Sequence, residues 1–144
     1  MKASVIIPTY LRPHDLARCL QALAQQVRQP TELIVVVRDQ DIATWAMLET
    51  LTTLSLPLKT ITVTVSGVIA AMNAGIEAAT GDFLAFTDDD AAPHPDWLER
   101  IEAYYLRDEQ IGGVGGRDVI QDPDPWSQGV KEDVGRLQWY GRII

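Results

Sequence analysis

The sequence predicts an α/β fold: a mostly parallel sheet with helices on both faces, its elements in the order βαβαβαβα. Three observations carry this. Hydrophobic residues switch repeatedly between short continuous runs of strand length and recurrences at helical spacing. The runs ASVIIP and ELIVVV do not alternate with polar residues, the pattern of strands covered on both faces. Finally, 144 residues of which 47% are hydrophobic and 22% charged suffice for one core. No repeat, low-complexity tract or linker marks a boundary, so residues 1–144 are expected to form a single domain.

Taken in order, Ala3–Pro8 is a buried strand. Pro13 suits a first helical turn, and Leu16, Cys19, Leu20 and Leu23 follow at i, i+3, i+4 and i+7, with Pro30 ending the helix. Glu32–Val37 is the second strand. Ile42, Trp45, Ala46 and Glu49 share one face of a weaker helix closed by Pro57. Thr60–Val65 alternates Thr with Ile61, Val63 and Val65, as expected at a sheet edge with one face in water. Val68, Ala71, Met72, Gly75, Ile76 and Ala79 mark a helix ended by Gly81. Asp82–Thr87 is a strand running into Asp88-Asp89-Asp90, and Pro95 opens a helix with Leu98, Ile101 and Tyr105 inward. A glycine-rich strand near Val114 and an irregular tail over about 121–144 complete the reading.

The net charge of −8 repels phosphate backbones, so nucleic acid is not an expected partner. The lone Cys19 forms no intramolecular disulfide and fits a reducing compartment. Val5–Ile7 is too short for a signal peptide, and the uncharged stretch Thr60–Ile76 is too interrupted to span a bilayer. A cytoplasmic protein without a transmembrane segment is expected, with peripheral contact to a membrane left open.

In parallel sheets ligands bind at the carboxyl ends of the strands, where strand order reverses. That rim gathers Pro8-Thr9-Tyr10, Arg38-Asp39 and Asp88–Asp90. Three consecutive carboxylates repel one another, and a cation or solvent must relieve them. Hard oxygen donors suit Mg2+ or Mn2+, which is commonly shared with substrate phosphates. The plain alternative is an exposed acidic turn before the next helix. Other candidates carry less. Gly112–Gly116 lacks the strand-then-helix order of a phosphate loop, and His14 and His94 are read as surface residues. Cys19 lies on an apolar helix face. Gly75 permits close packing, while Asn73 beside an apolar face needs a backbone or ligand partner.

The blocks VIIPTYLRPHDLARCLQAL, ELIVVVRDQD, SGVIAAMNAGIEAATGDFLAFTDDDAAPHPDWLERI and IGGVGGRDVI occur in an order that resembles family 2 glycosyltransferases of the GT-A fold, a Rossmann-like nucleotide-diphospho-sugar transferase fold. The resemblance covers residues 3 to about 120. It implies nucleotide-sugar binding, a divalent metal and inverting sugar transfer. By similarity Pro8, Thr9 and Tyr10 line the nucleoside pocket, with Tyr10 against the base. Arg38 and Asp39 stand near base and ribose, and Asn73 matches an Asn of the family. Asp88–Asp90 is the DxD-type motif: Asp90 and Asp88 are the metal residues, with Asp88 and Asp89 also beside the nucleotide. UDP- or TDP-sugars are the implied donors, and the acceptor is a saccharide or a lipid-linked sugar.

This chain departs from the family pattern at Leu11, where Asn is usual, at Val37–Gln40, where Asp-Asp-Gly-Ser is usual, and at Met72, where Arg is usual. Family members carry a further half that binds the acceptor and supplies the catalytic base. The expectation is therefore a chain truncated before that half, with the base outside it. Glu132-Asp133 reads as a solvated loop before a strand Leu137–Tyr140. The apolar ending through Ile143 and Ile144 reads either as the start of further structure or as the contact of a homo-oligomer. Two other functions stay open at this point: nucleotide-sugar binding without turnover, and a phospho-acceptor receiver domain. The receiver wants an acidic pair after strand one, where this chain has Pro8-Thr9.

Overall fold

A computed structural model describes residues 1–51 and 55–116, and the elements below all lie within the unit Met1–Val114. Their order is β1 (Ala3–Thr9), α1 (Pro13–Ala24), β2 (Glu32–Arg38), α2 (Ile42–Thr50), β3 (Leu58–Val63), α3 (Val68–Ala78), β4 (Phe83–Phe86) and α4 (Trp97–Tyr105). The expectations for Glu132-Asp133, Leu137–Tyr140 and the apolar C-terminal segment lie outside the described residues.

The four strands form one parallel sheet in the order β3-β2-β1-β4. From β1 the chain steps outward twice, to β2 and β3, then returns across the sheet to β4. Right-handed crossovers put connections that travel in opposite directions on opposite faces. Accordingly Leu16, Cys19, Leu20 and Leu23 of α1 and Leu98 of α4 pack with Val5, Ile7, Val35 and Val37 on one face, joined by Trp45 and Leu48 of α2. On the other face α3 covers Ile6, Ile34 and Val36 with Ala71. Both faces of β1 and β2 are thus dry, which accounts for their unbroken apolar runs.

The element ends differ from expectation for local reasons. α1 stops at Ala24 rather than at Pro30, because the Val27 N–H leaves the helix to donate to the Pro95 carbonyl at 2.8 Å. That commitment also keeps Pro95 out of α4, which begins at Trp97. α2 ends at Thr50, well before Pro57, and its inner face is Trp45 and Leu48; Ile42 is 79% exposed and Ala46 and Glu49 are also outward. β3 lies two residues earlier than Thr60–Val65, since its only neighbour among the described residues is β2 and the pairing runs from Leu33 with Leu58 to Arg38 with Val63. Gly112–Gly116 is not a strand. Among the described residues a Cβ added at any of its four glycines would meet nothing within 4 Å, so no tight backbone approach is seen there among them.

Gly81 is not the cap of α3, which is Ala79. It marks a close approach instead: a Cβ there would sit 2.6 Å from Ser4 Oγ and 2.8 Å from Ser4 N. The Gly81 N–H donates to Ser4 Oγ at 2.8 Å, and that hydroxyl donates to Glu32 Oε1 at 2.5 Å. Glu32 also accepts from Thr80, and these hydrogen bonds, Ser4 foremost, hold its carboxyl below the ordinary value.

A second cluster joins Arg28 to Glu102, with Nε to Oε2 at 2.5 Å and Nη2 to Oε1 at 2.9 Å. Arg28 holds the Glu102 carboxyl down at about 2. A depressed carboxyl contributes stability above its unfolded value and loses it as pH falls toward the folded one. The Glu102 contribution is therefore intact above about pH 4.5 and lost on the way to pH 2. Glu102→Gln is expected to be less stable at pH 7 and to lose less stability than the wild type between those pH values in urea titrations.

Candidate active site

The carboxyl ends of the four strands open onto one cavity of about 510 Å3. The segment after β1 forms its floor. Thr9 is buried, Tyr10 is half exposed, and Leu11 adopts the left-handed backbone with φ 56°. That conformation costs a side chain with a Cβ about 1–2 kcal/mol. It is held from outside: the Leu11 N–H donates to Asp41 Oδ2 at 2.6 Å. Asp41 is fully buried and caps α2, its Oδ1 accepting from the Thr44 N–H at 3.1 Å and its Oδ2 from Thr44 Oγ1 at 2.7 Å. One carboxylate thereby ties the loop after β1 to the loop after β2. Asn tolerates left-handed backbone better than Leu. Since Leu11 is 57% exposed, Leu11→Asn is expected to gain about 0.5–1 kcal/mol in denaturant titration.

The acidic turn follows β4. Asp89 is the buried member, accepting from Thr9 Oγ1 at 2.8 Å and from Arg12 Nη1 at 3.3 Å. Asp88 and Asp90 are exposed, and Asp90 Oδ2 accepts from the same Arg12 Nη1 at 2.8 Å. Asp89 above all, then Asp90, raises the Arg12 guanidinium above its ordinary value. Beneath the turn, Cys19 Sγ approaches the Asp88 carbonyl at 3.5 Å. Burial, aided by Asp89, pushes this thiol up to about 12, so Cys19 is a core residue and no nucleophile at neutral pH. The chain beyond the turn is stapled by Gln26, whose Nε2 donates to the His94 carbonyl at 2.7 Å and whose Oε1 accepts from the Leu98 N–H at 3.1 Å.

The far wall comes from β2 and α3. The Arg38 guanidinium lies over the Tyr10 ring at 5.5 Å to the centroid, a cation–π contact. Its Nε is buried without a hydrogen-bond partner among the described residues; Asp39, itself exposed, stands 3.8 Å away. Ser66, Gly67, Val68 and Ala71 complete the wall. Gly67 caps α3 with φ 109° and offers no side chain, so the first N–H groups of the helix have no side-chain cap among the described residues.

Of the residues singled out from sequence, Pro8, Thr9, Tyr10, Arg38, Asp88, Asp89 and Asp90 all line this cavity. Asp39 does not. Nor does Asn73: α3 turns Ala71 and Gly75 inward, and Asn73, about 200° from each, faces water, where its amide needs no protein partner. His14 and His94 are exposed, as expected. Arg12, Asp41, Gln26 and the Ser66–Val68 wall were not visible in the sequence. An arginine directly after Pro-Thr-Tyr-Leu, facing an acidic triplet across the strand reversal, was the available signal for Arg12.

Asp88 and Asp90 present exposed carboxylate oxygens to the cavity. That donor set fits Mg2+ or Mn2+, which takes one or two carboxylates and completes its shell with water and substrate phosphate. Among the described residues no cluster of three or more His, Cys, Asp or Glu is placed to hold a metal alone. No described helix is long and apolar enough to cross a membrane.

Comparison with known proteins points the same way. Glycosyltransferase AglE of Haloferax volcanii is 36% identical over 100 residues, which is 67% of this chain and 33% of that protein. The chain thus spans about one third of the length of this curated relative. S. aureus TarS (residues 1–349), solved in complex with UDP-GlcNAc, superposes with a TM-score of 0.63 at 29% identity, over 84% of this chain and 37% of that one. The mannosyltransferase PcManGT from Pyrobaculum calidifontis, solved with GDP-Man and Mn2+, gives 0.66 at 25% identity, over 72% and 32%. These neighbours share the GT-A fold with this chain. The Glycosyl transferase family 2 pattern runs through residues 4–142, from β1 past the acidic turn, and the chain belongs to that family.

Proposed function

We propose that this chain binds the nucleoside diphosphate sugar of a glycosyl transfer and holds it for an inverting displacement. The observation that carries the reading is a single cavity joining three chemistries. Tyr10 and Arg38 offer an aromatic face and a guanidinium, α3 offers uncapped N–H groups, and Asp88 and Asp90 offer carboxylates. A nucleobase suits the first, a diphosphate the second, and a cation bridging protein to diphosphate the third. Pro8 and Thr9 bound the nucleoside, with Arg38 near base and ribose.

Asp88 and Asp90 would hold a divalent cation, whose chemistry is to neutralise charge on the departing diphosphate. In the transfer the acceptor oxygen bonds to the anomeric carbon, the bond to the diphosphate oxygen breaks, and the acceptor proton goes to a base. We place that base outside the described residues. The acceptor is a hydroxyl of a saccharide or a lipid-linked sugar. The neighbours solved with UDP-GlcNAc and with GDP-Man support the donor class. A second reading is donor binding without turnover, since no base is identified among the described residues, and sugar transfer to any acceptor decides between the two.

Thermal unfolding tests the reading. With Mn2+ present, at least one of UDP, TDP and GDP is expected to raise Tm, by mass action worth about 2.7 kcal/mol at a hundredfold excess over Kd. Inorganic phosphate is expected to do nothing. Equal shifts from phosphate, or none from any nucleotide, would contradict it.

A further inference from the structure

Arg12 is the one described cation within ion-pair distance of the acidic turn, and nothing in the proposed function employs it. Its backbone is fixed on both sides. Leu11 is tethered by Asp41, Pro13 opens α1, and the Arg12 carbonyl accepts the first helical hydrogen bond from Leu16 at 3.0 Å. Its side chain is not fixed: it is 53% exposed and lines the cavity. One Nη1 serves two carboxylates that differ in kind. Asp89 is buried and shared with Thr9, whereas Asp90 is 54% exposed and has no other hydrogen-bond partner among the described residues.

We propose that Arg12 is the internal counter-cation of this turn, and that it exchanges Asp90 for the donor's diphosphate when metal and nucleotide bind together. This rests on the function proposed above. Before binding, the guanidinium relieves the repulsion among three adjacent carboxylates. Arg12 already occupies Asp90 Oδ2, and a divalent cation on the same carboxylate would set a second positive charge beside the guanidinium. A cation arriving alone therefore competes with Arg12. A cation arriving with a diphosphate supplies the guanidinium with new acceptors, because arginine's planar donors match phosphate oxygens as well as carboxylate. Asp89 Oδ1, which accepts from the same Nη1, keeps the guanidinium close to the turn throughout. The consequence is coupling: metal and nucleotide each bind better in the presence of the other.

The test is Mn2+ binding followed by electron paramagnetic resonance, with and without UDP, on wild type, Arg12→Gln and Arg12→Lys. Circular dichroism melts confirm that each variant is folded. Arg12→Gln is expected to bind Mn2+ alone about two- to fivefold more tightly, the range of one exposed ion pair. With Mn2+ saturating, it is expected to bind UDP about tenfold more weakly, for loss of a charged phosphate contact. Arg12→Lys keeps the charge and is expected to stay near wild type for Mn2+ alone. If Arg12→Gln binds Mn2+ alone no better than wild type while UDP and Mn2+ still bind together, the exchange is wrong and the donor site stands. If wild type binds no Mn2+ even with UDP, both fall.

Discussion

Asp41→Ala is expected to lose about 2–4 kcal/mol of stability and most nucleotide binding, although Asp41 does not line the cavity. The carboxylate accepts three hydrogen bonds in a fully buried position, from the Leu11 N–H, the Thr44 N–H and Thr44 Oγ1. Losing the helix cap costs about 1 kcal/mol, and a partly buried donor left without an acceptor about 1–3 more. The functional loss follows from Leu11, whose left-handed backbone has no local reason to persist once its N–H is released. Tyr10 and Arg12 flank it and would move with it. Asp41→Asn keeps one acceptor oxygen and should fall between the two. Urea titration and nucleotide titration of both variants check this; stability unchanged within about 0.5 kcal/mol would remove Asp41 from its role.

Gln26→Leu is expected to cost about 2–4 kcal/mol, despite replacing a polar side chain in the core with an apolar one of similar size. Gln26 is 3% exposed and serves α4 from a distance. The helix has no side-chain cap of its own from Asp96, and the Leu98 N–H finds its acceptor in Gln26 Oε1. The His94 carbonyl takes Nε2 on the same amide. Leucine leaves both groups without partners, each worth about 1–3 kcal/mol. Because residues 91–96 run directly from Asp90 into α4, nucleotide affinity should fall along with stability. Gln26→Glu, which keeps an acceptor for Leu98 but buries a carboxylate against the His94 carbonyl, should lose at least as much as leucine in the same urea titration at pH 7.

These two residues show where sequence reading stopped. The buried strands were legible because α/β packing leaves β1 and β2 dry on both faces, so ASVIIP and ELIVVV carry no polar residue beyond Ser4 and Glu32. The acidic turn was legible because three carboxylates at a strand end have few other uses. Asp41 and Gln26 were not, since each lies in an ordinary polar stretch and is buried only because a segment distant in sequence comes to meet it. Asn73 went the other way: beside apolar residues in the sequence, it is outward on the helix. The strand at Gly112–Gly116 failed because glycine supplies no side chains to hold one in a sheet.

The donor site itself is tested most directly by calorimetric titration of UDP into wild type and Asp90→Ala, first with Mn2+ and then with EDTA, repeated with TDP and GDP. The account predicts heat of binding for at least one nucleotide in Mn2+, abolished by EDTA and by Asp90→Ala. Binding of equal strength in EDTA and in Asp90→Ala, or no binding of any of the three nucleotides, would contradict it.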